Sequence, residues 1–221
     1  MSFYLSSIGK KALMALSGLA LFGFVLAHLA GNLLIFLGPS ALNAYAAKLE
    51  HLGPWLWVAR GGLLVALAVH IWASVQVTRE NRRARPQAYA RFRPEETTLA
   101  ARTMMATGVL LLVFLIYHLL HFTFRVTHHE ISHGLDALGR RDVYMMVVRS
   151  FQQPLLSLVY VLGVGAVCFH LSHGVASTRQ TLGLNNERTL GVVSQAGAWA
   201  AVLIFLGYSA IPLAALLGMV K

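Results

Sequence analysis

Apolar residues fall into five long runs, Ala12 to Leu37, Trp55 to Thr78, Thr103 to Phe124, Pro154 to Thr178 and Val192 to Gly218, with polar residues gathered between them. Each run is long enough for a helix to cross a hydrocarbon core of ~30 Å. A helix also satisfies its own backbone hydrogen bonds where no water is present. The pattern therefore predicts an all-α integral membrane protein with five transmembrane helices, read as one membrane domain over residues 1–221. The longest connection, Arg125 to Gln153, contains HHEISHGLDALGRRDVY and has room for a short interfacial helix.

Composition agrees with the pattern. Hydrophobic residues make up 57% of the chain and charged residues only 12%, against about 25% charged in a soluble domain. The single cysteine, Cys168, lies inside an apolar run, cannot form an internal disulfide, and reads as a core residue. A formal charge of +10 raises the question of nucleic acid, but the Lys and Arg residues sit between the apolar runs rather than on a basic face interleaved with aromatics. The first run follows Lys10 and Lys11; it is too long for a signal-peptide core and lacks a clear small-residue cleavage site, so it is expected to be a retained helix.

The charges fix a topology instead. Arg79, Arg82, Arg83, Arg85, Arg91, Arg93 and Arg102 crowd the segment between the second and third runs, which the positive-inside rule places in the cytoplasm. The N-terminus then lies inside and the C-terminus outside, as in a multi-pass protein of a bacterial-type inner membrane. Lys10, Lys11, Arg179 and Arg188 join the inner set, giving eleven basic residues inside against seven outside. Trp55, Trp57 and Tyr144 fall near the expected outer boundaries, where amphipathic aromatics are favoured.

Four of the five runs carry a histidine at a comparable place: His28, His70, His118 and His170. An ionisable side chain inside a spanning helix is costly, and function is its default explanation. A helix rises ~1.5 Å per residue, which puts His28 and His118 ~23 to 24 Å from the inner boundary and His70 and His170 ~12 Å from it. The four therefore form two pairs in two layers separated by roughly 11 Å. Two histidines from different helices at one depth can supply both axial ligands of a haem iron, which favours electron transfer over oxygen binding.

Two competing readings fit less well. Structural zinc prefers Cys/His clusters with short local spacing, and intramembrane proton relays normally include Asp or Glu, of which these runs contain none. His121 and His173 follow His118 and His170 by three residues and share roughly the same helical face, so either can stand in for its neighbour; depth favours His118 and His170 by about one turn. Gly31, Ala66, Ser74, Gly163 and Gly165 are small enough to admit a flat macrocycle or to let helices pack closely. Arg79 is placed either to offset a haem propionate or to set topology.

These residues resemble the two-haem, single-anchor cytochrome b subunits of succinate:quinone oxidoreductases, the b558-type family. The resemblance rests on FVLAHLAGNLLIF around His28, LAVHIWASVQVTRENRRARP around His70, ARTMMATGVLLLVFLIYHLLHFT around His118 and CFHLSHGVASTRQTLGLN around His170, taken in order and spacing. It implies a five-helix fold whose first four helices form a di-haem bundle, with two haem b groups: an outer one on His28 and His118 and an inner one on His70 and His170. The family's fourth-span ligand is followed by glycines at spacings that fit Gly174 and Gly183, which points to His170 rather than His173.

The same resemblance implies partners: a flavoprotein subunit carrying FAD, an iron–sulfur subunit, and a membrane quinone, menaquinone or ubiquinone, as exchangeable substrate. Succinate oxidation or fumarate reduction would occur on a partner chain, leaving this one as the electron-transfer subunit of succinate dehydrogenase or fumarate reductase. In fumarate-reducing relatives an acidic residue near the outer end of the second span handles quinone protons, and Glu50 is the nearest candidate here, reading otherwise as a solvated loop charge. His128, His129, Glu130 and His133 read either as an exposed polar loop or as a surface metal or proton site. The alternative class is a di-haem cytochrome b of a hydrogenase or formate dehydrogenase, and a third is a transporter or structural membrane protein that binds no haem.

Overall fold

The computed structural model describes residues 6–84, 98–183 and 190–221; Arg85, Arg91, Arg93 and Arg188 of the expected inner set lie outside the described residues. The chain is helical, and the described residues contain no β-strand, only an isolated bridge between Leu135 and Arg141. Helix α1 spans Ser7–Asn32 and continues as a 3₁₀ turn over Leu33–Leu37. It is followed by α2 (Pro39–Glu50), α3 (Pro54–Ala84), α4 (Leu99–His118) with a π-turn over Leu119–Thr123, α5 (Val143–Phe151), α6 (Pro154–Thr181) and α7 (Leu190–Leu216). Five apolar helical segments, in α1, α3, α4, α6 and α7, are 20 to 31 residues long and able to cross a membrane.

Local chemistry sets the ends. Ser6 and Thr98 accept from the amides of Gly9 and Ala101 and so cap α1 and α4, while α2 and α6 carry proline in the first turn, where the missing N–H costs nothing. Gly38, at φ +93°, breaks the chain direction between α1 and α2, a backbone state that a side chain would strain. Helix α2 is absent from the five-run pattern because PSALNAYAAKLE is mixed in polarity and short of a membrane span. Helix α5 lies in the long connection where a short helix was expected; it is capped by Asp142, whose carboxylate accepts from Met145 N at 3.0 Å.

The spanning helices alternate in direction, so one end of the bundle, here the Lys10 end, gathers the start of α1 and α4 and the finish of α3 and α6. There the Lys10 ammonium and the Ser7 hydroxyl both bind the carboxylate of Glu80, tying α1 to α3. Helix α1 packs on α3 and α6, α4 packs on α6, and α7 lies against α6 and α1. Helices α3 and α4 do not pack closely on each other. The four thus stand at the corners of a square, α1 diagonal to α4 and α3 diagonal to α6. Much of their apolar surface faces outward, as with Leu64, Val109 and Leu162, which suits a hydrocarbon solvent.

Close packing is concentrated at the opposite, Glu50, end. Ile35, Leu42, Val148, Phe151, Tyr160 and Ile211 form a continuous core beneath a cap of α2, α5 and the 125–142 loop. Asn43, fully buried, is the polar hub of that cap: its amide donates to Asp142 and Asp136, and its carbonyl accepts from Tyr144 N at 2.9 Å. Tyr144 itself is buried at 4% exposure, against the expectation of an interfacial aromatic, because α5 folds inward onto α7 and α6. Trp55 and Trp57 do stay exposed, with Arg60 stacked over the Trp57 ring. Cys168 lies in a second core cluster with Ala201 and Ile204.

Candidate functional site

Four of the intramembrane histidines meet in two pairs across the diagonals of the square. The rings of His28 on α1 and His118 on α4 lie 5.9 Å apart between centroids, at 83° to one another. Those of His70 on α3 and His170 on α6 lie 6.4 Å apart, at 70°. A metal holding two imidazoles on opposite sides, each nitrogen ~2.0 Å away, sets the ring centroids roughly 6 Å apart. Both pairs have that spacing.

The surroundings fix which nitrogen each ring offers. His70 donates from Nδ1 to the Met14 carbonyl at 3.0 Å, leaving the Nε2 lone pair free. Thr107 spends its hydroxyl hydrogen on the carbonyls of Thr103 or Met104, so its oxygen accepts from Nδ1 of His170 at 3.1 Å, and Nε2 is again the free donor atom. Second partners of this kind orient metal-binding imidazoles generally. His28 is held between rings, stacked on Phe24 at 5.3 Å and beside Tyr208 at 6.2 Å. Tyr208 also donates to the Val25 carbonyl at 2.7 Å, so the fifth span, which carries no histidine, helps to place the first pair.

Two glycines sit against the second pair. A Cβ on Gly18 would come within 3.0 Å of the His70 ring, and one on Gly108 within 3.8 Å of His170. His28 and His118 each follow these glycines by ten residues, ~15 Å of helix. Side chains lean toward the helix N-terminus, which draws His28 and His118 back and leaves the ring layers on the order of 12 Å apart. The small residues singled out from the sequence serve other contacts: Gly31 lies against Tyr45, Gly163 against Phe114 and Gly165 near Phe205, all helix packing.

His121 is committed elsewhere. The π-turn rotates it away from His28 into the core, where it is fully buried. Ser150 donates its hydroxyl hydrogen to Met146, so it accepts from Nε2 of His121 at 3.1 Å; Nδ1 then accepts from the Tyr160 hydroxyl at 2.9 Å. Neither nitrogen keeps a lone pair for a metal. On α6, the ring that faces His70 is that of His170 rather than His173.

The remaining candidates lie apart from the pairs. Arg79 is exposed on α3, nine residues beyond His70 and so on the opposite side of that helix. Glu50 ends α2 and bonds Arg141 at 2.9 Å, holding the cap to the loop. His128 lies 3.8 Å from Glu130 and His129 stacks on His133, while among the described residues no cluster of three or more His, Cys, Asp or Glu forms a metal cage. The donor set is therefore two isolated pairs, suited to a planar group that brings its own in-plane ligands.

An all-helical membrane chain with two cross-bundle histidine pairs is the class these features define. Residues 78–207, more than half of the chain, match the family described as succinate dehydrogenase/fumarate reductase transmembrane subunit, and the chain belongs to that family. The match takes in His118 and His170 and begins after His28 and His70. No curated protein and no solved structure matches the chain.

Proposed function

We propose that this subunit is a di-haem membrane anchor that carries electrons between the iron–sulfur subunit of succinate dehydrogenase or fumarate reductase and a membrane quinone. The observation that supports it most is the pair of diagonal histidine contacts, at 5.9 and 6.4 Å. On this reading His28 and His118 hold one haem b, and His70 and His170 the other. Held by two imidazoles, such a haem would supply one-electron transfer rather than oxygen binding. The chain's own part is to orient His70 through Met14 and His170 through Thr107, to seat His28 against Phe24 and Tyr208, and to keep water out of the bundle.

The basic side chains support a direction. Lys10, Lys11, Arg82, Arg83, Arg102 and Arg179 belong to the Lys10 end, which by the positive-inside rule faces the cytoplasm. His70 and His170 then lie nearer the iron–sulfur and FAD-bearing flavoprotein partners, and the Glu50 end faces outward. The test is a reduced-minus-oxidised spectrum of the purified complex. Two low-spin haems b per chain are expected, and a chain that carries one or none would falsify the four-ligand assignment.

A further inference from the structure

A cavity of about 500 Å³ opens between α1, α3 and α6 at the Lys10 end, lined on its polar side by Lys11, Asn81, Ser177, Gln180 and Thr181. Its position relative to the second histidine pair is set by helical phase. Asn81 follows His70 by eleven residues, and Ser177 and Thr181 follow His170 by seven and eleven, so all three continue the faces that present those rings, two or three turns farther along. Met14 joins the two places directly, since it lines the cavity and its carbonyl holds Nδ1 of His70. Apolar residues dominate the bundle on the other side of the rings, and Lys11 is the cation of the cavity wall.

We propose that this cavity is a carboxylate cradle: Lys11 and Ser177, each about two turns from the ring layer, receive the acid side arms of the haem held by His70 and His170, with Asn81, Gln180 and Thr181 lining the mouth beyond them, so that its acid edge points to the Lys10 end. The assignment rests on the di-haem reading. It replaces Arg79, which the phase of α3 turns away, with a cation on a different helix. The chemistry is complementary: one ammonium and several amide and hydroxyl donors meet a group that carries its negative charge on one edge only. A cation beside those carboxylates also stabilises the added electron, which couples Lys11 to the reduction potential of one haem and not the other.

Potentiometric titration of the haem absorbance in the purified complex tests the cradle. Lys11→Gln should lower the potential of the haem that is lost on His70→Ala, leave the other unchanged, and be restored by Lys11→Arg. Ser177→Val should shift the same haem in the same sense by a smaller amount, which covers the case in which Lys11→Gln fails to assemble. Two haems whose potentials are unmoved in both Lys11→Gln and Ser177→Val, or that move together, overturn the cradle alone. A His70→Ala complex that retains the full haem content of the wild type overturns the di-haem reading and the cradle with it.

Discussion

His118 and His121 are three residues apart on one helix, yet they lead opposite lives. His118 faces a second imidazole across the bundle, whereas His121 spends both nitrogens on Tyr160 and Ser150. Replacing His118 with alanine should therefore remove one of two haem signals while the fold survives. Replacing His121 should keep both signals and cost about 2 to 4 kcal/mol of stability, from the cavity and the Tyr160 hydroxyl left without its acceptor; thermal unfolding followed alongside the haem spectrum separates the two outcomes. The sequence allowed the depth count, which put His28 with His118 and His70 with His170. It favoured His118 over His121 by about one turn but gave no sign of where His121 goes, because a π-turn leaves no mark in composition and changes the helical phase that follows it. Gly18, Gly108 and Tyr208 were missed for a related reason: their importance lies in what faces them from another helix.

At the scale of elements, the five spans were legible because continuous apolar runs admit little else in lipid. Helix α2 and the inward fold of α5 were not, since their amphipathic faces are matched to each other and to α7 rather than to solvent. Asn43 is the link between them, and Asn43→Ala would leave Tyr144 N without a partner in a buried place and take one donor from the Asp142 carboxylate, which keeps Met145 N. A loss of about 2 to 4 kcal/mol is expected, visible as faster protease cleavage in the 125–142 loop with little change at the Lys10 end. The same cap should loosen in acid. Partial burial alone would push the Asp136 carboxyl up, but hydrogen bonds from Arg140 and from the Arg140 and Leu138 amides outweigh it and hold the carboxyl below its usual 3.8. A carboxyl depressed in the folded state contributes stability above its unfolded pKa and loses it as pH falls through the folded value. Pepsin cleavage of the loop should therefore rise as pH drops from about 4 downward, and Asp136→Asn should flatten that rise by making the loop labile already at neutral pH.

For the whole molecule, two histidine layers at different depths have an electrical consequence on the di-haem proposal. Moving one charge across the full membrane changes its free energy by about 2.3 kcal/mol per 100 mV, and layers on the order of 12 Å apart span a sizeable part of a ~30 Å core. An electron passing between the Lys10 end and a quinone at the Glu50 end would then feel the membrane potential. Succinate-dependent quinone reduction in sealed vesicles should change rate when an uncoupler collapses the field. Equal rates, measured where electron transfer is limiting, would argue against a route that crosses both layers.

The diagonal placement of the histidines also bears on mechanics. Four posts packed along three sides, with α3 and α4 not closely packed on the fourth among the described residues, can rack like a frame with a weak rail. Ties run corner to corner at two heights remove that freedom, and because each tie binds only the squared frame, filling it steadies the frame by mass action. On the di-haem proposal, cofactor loading would be the final bracing step of assembly. Spin labels at Leu64→Cys and Val113→Cys, one on each of α3 and α4, should report a single narrow distance in the loaded subunit. The distribution should broaden when His28→Ala cuts the tie nearest to them, while labels near the Lys10 end stay close to their original spread.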